Sequence, residues 1–140
     1  MEGEKQKIKI EVFVRRPVEE VWEYFTDSLH IRNWNFASDD WHCPFAENEL
    51  KPGGRFRYTM ASKDGKYSFD FSGTFVNVAL WKFLSYRLDD GRLVEINFDQ
   101  SPKGTLITEI FEAENVHSIE QQKLGWQSIL NNFKIYSENK

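Results

Sequence analysis

The order in which structural signals follow one another constrains this chain more than any single motif. Ile8, Ile10, Val12 and Val14 alternate with Lys7, Lys9, Glu11 and Phe13, the period of a strand with one buried face. Pro17 then supplies the fixed φ tolerated in a first helical turn, and Val18, Val21, Trp22 and Phe25 recur at helical spacing. Leu29, Ile31 and Trp34 point to a second short helix or an irregular turn. Next come turn clusters at Lys51-Pro52-Gly53-Gly54, Lys63-Asp64-Gly65-Lys66, Asp89-Asp90-Gly91-Arg92 and Ser101-Pro102-Lys103-Gly104, whose residues accept positive φ or pre-set a bend. They bracket strands near 55–62, 67–79, 83–88, 93–100 and 105–112. With the first strand and a short one near 40–47, this predicts a meander of about six to seven strands. In the long strand, Tyr67, Phe69, Phe71 and Phe75 share a face with Gly73, where a glycine invites a bulge or a sharp bend.

The chain closes with a helix. Ser118 and Gln121 form a capping-box pair, so the helix begins at Ser118 or Ile119 and runs for about 20 residues. Its apolar stripe is Ile119, Trp126, Ile129, Leu130, Phe133 and Tyr136 or Ser137, and its opposite face is Gln, Lys, Asn and Glu. Gly125 costs about 1 kcal/mol against Ala inside a helix, so it is expected to mark a strand or ligand close to the backbone. A curved antiparallel sheet wrapped around that helix satisfies the order, an α+β architecture with two short helices after the first strand. Such a wrap leaves an apolar hollow.

At 140 residues the chain is expected to form a single domain, 1–140, with residues 1–6 a disordered tail. Aromatics make up 16% of it, enough to line an open pocket as well as to fill a closed core. The net charge is −4 with Lys and Arg scattered, which disfavours nucleic acid as a partner. A lone Cys43 permits no intrachain disulfide. No apolar run approaches the ~20 residues that span a bilayer, and a cytoplasmic protein is expected.

Six pieces in one order carry a family resemblance: Ile10-x-Val12 with Pro17-Val18-x-x-Val21-Trp22; Asn33-Trp34; Pro52-Gly53-Gly54-x-Phe56; Asp64-Gly65; Phe71-x-Gly73-x-Phe75; and Gly125-Trp126-x-x-Ile129-Leu130. The chain resembles the START-like (SRPBCC) superfamily, and within it the branch of activator of heat-shock protein 90 ATPase homologue-like proteins. The stretch from Trp34 to Pro44 is similar to a bacterial, single-domain subgroup of that branch. The resemblance implies a helix-grip fold with a cavity between the sheet and the C-terminal helix. It implies function only broadly, because related folds bind lipids, sterols and plant hormones, cyclise polyketides, or stimulate a chaperone. The eukaryotic chaperone activators carry a further N-terminal domain, and with six residues ahead of its first strand this chain is not expected to stimulate the chaperone by itself.

Each candidate site residue has a bland reading beside the functional one. His42 and Cys43 stand next to Trp41, but His30 and His117 lie alone in other segments, so no metal and no thiol catalysis are expected. Glu109 shares strand parity with Ile107 and Phe111, which would bring its carboxyl into the hollow, yet Leu106, Thr108 and Ile110 are equally apolar and leave the opposite face open. Trp34, Trp41, Phe69, Phe71 and Trp126 are walls of a pocket or parts of a packed core. The function expected from these residues is non-enzymatic binding of a small hydrophobic or amphipathic ligand by Trp34, Trp41, His42, Tyr58, Phe69, Phe71, Glu109, Trp126 and Leu130, with no cofactor. Two rivals stand beside it. One is a cyclase- or hydrolase-like enzyme with Glu109 or His42 as general base; the other is a protein-binding module of the chaperone-activator kind.

Overall fold

Alternation and turn chemistry translate directly into the computed structural model, which describes residues 6–140. In chain order these form β1 (Lys7–Val14), α1 (Val18–Thr26), α2 (Ser28–Ile31), β2 (Trp41–Asn48), β3 (Arg55–Ser62), β4 (Ser68–Ala79), β5 (Phe83–Leu88), β6 (Leu93–Ser101), β7 (Gly104–Glu112) and α3 (Ile119–Glu138). The seven strands make one antiparallel sheet in the order β1-β7-β6-β5-β4-β3-β2. β2 to β7 are a continuous meander, whereas β1 pairs at the far edge with β7. The two short helices therefore carry the chain from one edge of the curled sheet to the other. α3 lies in the concavity, with Leu130 and Phe133 fully buried. This is the helix-grip architecture.

Local sequence explains each element. In β1 the four aliphatic residues are buried and the residues between them exposed. Pro17 caps α1 rather than entering its first turn: it is extended, and its carbonyl accepts from the Glu20 and Val21 amides. Val18, Val21, Trp22 and Phe25 are the buried face of that helix. Phe25 and Trp34 pack edge-on against Phe133, with ring centroids 5.1 and 4.8 Å away, which joins α1 and the loop after α2 to α3. The Ser118 hydroxyl accepts from the Gln121 amide and the Gln121 side chain accepts from the Ser118 amide, a complete capping box.

The helix face differs from the stripe in one place. Gln122, expected to face solvent, is buried, because its amide nitrogen donates to the Glu114 and His117 carbonyls while its oxygen accepts from the Glu114 amide. It ties down the β7–α3 connection. The other end of α3 has no basic residue of its own in its last turn. Arg16 supplies that charge from the end of β1, donating to the Ser137 and Glu138 carbonyls at 3.0 and 3.2 Å.

Three further expectations change. Gln6 is not part of a loose tail, since its carbonyl accepts from the Ala113 amide and continues the β1–β7 ladder; the rest of the tail expected over 1–6 lies outside the described residues. The bulge in β4 falls at Val76, between Phe75 and Asn77, and not at Gly73. Gly125 does not mark a close approach, because a Cβ built there meets nothing within 4 Å. Gly125→Ala is therefore expected to raise stability, by up to about 1 kcal/mol. Urea unfolding would read that gain, and a destabilised variant would mean that something does press on this turn of α3.

Candidate functional site

The concave face and α3 do not close completely on one another. Between them remains a cavity of about 220 Å³. Strand alternation builds its walls: Phe56, Tyr58 and Met60 project from β3, Phe69, Phe71 and Phe75 from β4, and Leu84 and Tyr86 from β5. α3 contributes Trp126, Ile129 and Leu130, and Phe25 and Trp34 close the end beside α1. Phe69 is 52% exposed, so it stands at the mouth.

Aromatic stacking fixes the shape. Trp126 lies flat on Phe111, with centroids 3.8 Å apart and planes 10° from parallel, and meets Phe71 edge-on at 5.7 Å. Phe56 is surrounded by Tyr58, Phe71, Phe75 and Tyr86. Rings held from several sides have little freedom to collapse into the space.

A few polar groups interrupt the apolar wall. Glu109 is only 7% exposed, lines the cavity, and makes no hydrogen bond to any described residue. Burial alone pushes its carboxyl up to about 8. The register makes its direction plain, since Glu109 stands between Ile10 of β1 and Ile96 of β6, both fully buried. Tyr86 is likewise buried with no hydrogen-bond partner among the described residues. Its phenol is pushed well up, first by burial and then by the nearby Glu109 charge. The Tyr58 phenol is also raised by burial, against a hydrogen bond from Asn48. The Asn48 amide donates to the Tyr58 hydroxyl at 3.0 Å and to the Thr26 carbonyl at 2.8 Å. Arg92 reaches the wall from the β5–β6 turn, its Nε donating to Asp90 at 2.9 Å.

The structure thus gathers Trp34, Tyr58, Phe69, Phe71, Glu109, Trp126 and Leu130 around one space. It leaves out Trp41 and His42. β2 is an edge strand whose register slips between His42 and Phe45, so Cys43 turns inward, His42 is exposed, and Trp41 leans on Phe69 from outside, 5.9 Å between centroids. Burial raises the Cys43 thiol, and its sulfur donates to the Phe45 carbonyl. No group of three or more His, Cys, Asp or Glu among the described residues is arranged to hold a metal ion. Sequence reasoning missed Tyr86, Asn48 and Arg92. Tyr86 shares parity with Leu84 and Leu88 on β5 and carried a readable signal; Arg92 sits in a turn and carried none.

Comparison with known proteins agrees with this fold. Residues 15–138 match the family model for the Activator of Hsp90 ATPase homolog 1-like protein. The solution NMR structure of an AHSA1-like protein from Aeromonas hydrophila is 46% identical, with 96% of this chain and 93% of that one covered and a TM-score of 0.91. A protein from Cytophaga hutchinsonii, also solved in solution, is 46% identical over 95% of this chain and 92% of its own, with a TM-score of 0.82. At 19% identity, a crystal structure from Chromobacterium violaceum shares the fold, covering 95% of this chain and 98% of its own with a TM-score of 0.85. Among curated proteins no match was found.

Proposed function

The chain belongs to the Activator of Hsp90 ATPase homolog 1-like family, and from that premise we propose that it is a single-domain, cytoplasmic, non-enzymatic binder of a small hydrophobic or amphipathic molecule. START-like folds generally hold hydrophobic ligands. The observation that carries the reading for this chain is the open cavity of about 220 Å³ under α3, walled by aromatic rings that brace one another. An apolar cavity of ~150 Å³ already holds benzene, so this one has room for a two-ring or short-chain ligand. Burying ~300 Å² of ligand surface at ~25 cal/mol per Å² is worth about 7 kcal/mol before ordering costs. That corresponds to dissociation constants of roughly ten micromolar or weaker.

The test is a panel of fatty acids, sterols, flavonoids and an environment-sensitive apolar dye, read by tryptophan fluorescence. Binding that quenches or shifts the emission, and that weakens in folded Trp126→Ala, is the expected outcome. A panel with no binder at all would end the reading. One observation favours a second reading: a buried carboxyl titrating near 8 is suited to exchange protons with a bound molecule at neutral pH. Loss of turnover with unchanged binding in Glu109→Gln would make Glu109 a base and the protein an enzyme.

A further inference from the structure

Three polar groups of the cavity wall have a hydroxyl group without an acceptor among the described residues, and together they describe a ligand. The Tyr58 oxygen already accepts from Asn48, so its own proton is free to be given to something else. Tyr86 and Glu109 are each more than nine-tenths buried, line the cavity, and have no hydrogen-bond partner among the described residues. Tyr58 and Tyr86 both pack on the Phe56 ring, with centroids 5.0 and 4.8 Å away, and the Glu109 charge acts on the Tyr86 phenol, so the three share one side of the cavity. Arg92 lines the cavity with its guanidinium paired to Asp90. Burial keeps both phenols protonated and leaves the carboxyl mostly protonated at neutral pH. Three hydroxyl protons therefore have no acceptor among the described residues, while the side-chain oxygens of Asn35 and Asn48 are the other acceptors on the wall.

We infer that the cavity takes ligands headed by a hydrogen-bond-accepting oxygen, a ketone, aldehyde or enone carbonyl on an apolar ring or chain, held by the Tyr58, Tyr86 and Glu109 hydroxyl groups. This rests on the cavity-binding reading above and specifies the ligand's polar end. A carbonyl gives Tyr86 and Glu109, which have no protein hydrogen-bond partner among the described residues, a bond that an apolar ligand of the same shape leaves unmade. A primary amine carries a charge into a mostly apolar cavity and offers no oxygen to accept the Tyr58 and Tyr86 protons.

The test is a matched set of two-ring probes at pH 7, 2-acetylnaphthalene, 2-ethylnaphthalene and 1-(2-naphthyl)ethylamine, measured by isothermal titration calorimetry on the full chain. The ketone should bind roughly three- to tenfold more tightly than its ethyl counterpart, and the amine most weakly. In Tyr86→Phe and in Glu109→Leu the ketone's advantage should shrink to less than about twofold, with the affinity for 2-ethylnaphthalene kept or improved. Where Glu109→Leu does not fold, Tyr86→Phe decides. Equal binding of ketone and ethyl compound, or tightest binding of the amine, overturns the inference while leaving the cavity a binding site. Failure of all three probes to bind overturns both.

Discussion

Glu109→Gln is expected to stabilise the protein by about 3 kcal/mol at pH 7 and by almost nothing at pH 4. The reasoning is linkage. In the unfolded chain the carboxyl titrates near its ordinary 4.5, and in the folded protein burial holds it at about 8. Below the lower value both states are protonated and the side chain resembles an amide. Between the two, the unfolded chain releases its proton while the folded one keeps it, so stability falls by about 1.4 kcal/mol per pH unit as pH rises. Above the higher value the loss levels off. Glutamine carries no such proton and escapes the penalty, while every other group titrates alike in both proteins and cancels in the difference. Urea unfolding of the pair at pH 4 and pH 7 reads it. A difference that does not change with pH would show that the Glu109 carboxyl is solvated or paired.

Gly73→Ala should cost about 3 kcal/mol or more. A Cβ on Gly73 would sit 2.4 Å from the Arg87 carbonyl oxygen and 3.1 Å from the Leu88 Cα. Those are backbone atoms of the neighbouring strand and have no rotamer through which to withdraw. The β4–β5 ladder must open at the point where Gly73 pairs with Leu88, beneath the Phe56–Phe75–Tyr86 cluster that walls the cavity. For a chain of this size the melting temperature should drop by roughly 10 °C. An unchanged melting curve would mean that β4 and β5 leave room for a methyl group at this position.

The two glycines also show where sequence reading stops. Gly73 and Gly125 are the same residue in regular elements that dislike it, and propensity assigns both a structural reason; only the position of a distant neighbour separates the crowded one from the free one. Strands, turns and the capping box were legible because their causes are local: the alternation of Ile8 to Val14, the glycine hairpins, and Ser118 with Gln121. Glu109 was half legible. Both faces of β7 are apolar, and its direction was decided by the register that pairs it with Ile10, a residue whose own side is unambiguous. Trp41 and His42 were named for their chemistry alone; as neighbours in an edge strand they face opposite ways, His42 outward, and neither lines the cavity. Tyr86 was passed over because an aromatic residue between two leucines of one face reads as core until the space beside it is seen.

The place of β1 in the sheet has a kinetic consequence. Its strand partner is β7, and Ile10 finds Glu109 across about seven-tenths of the chain. Arg16, just beyond β1, binds the last turn of α3. An apolar-faced strand is thus made first and satisfied last, and the meander from β2 to β7 must already be assembled before loop-closure entropy is recovered at that edge. Such a topology belongs with slow, non-local folders. Until β7 and α3 arrive, the inner face of β1 is an aggregation-prone edge, and the cavity, whose Glu109 wall lies on β7 and whose roof is α3, is among the last parts of the molecule to exist.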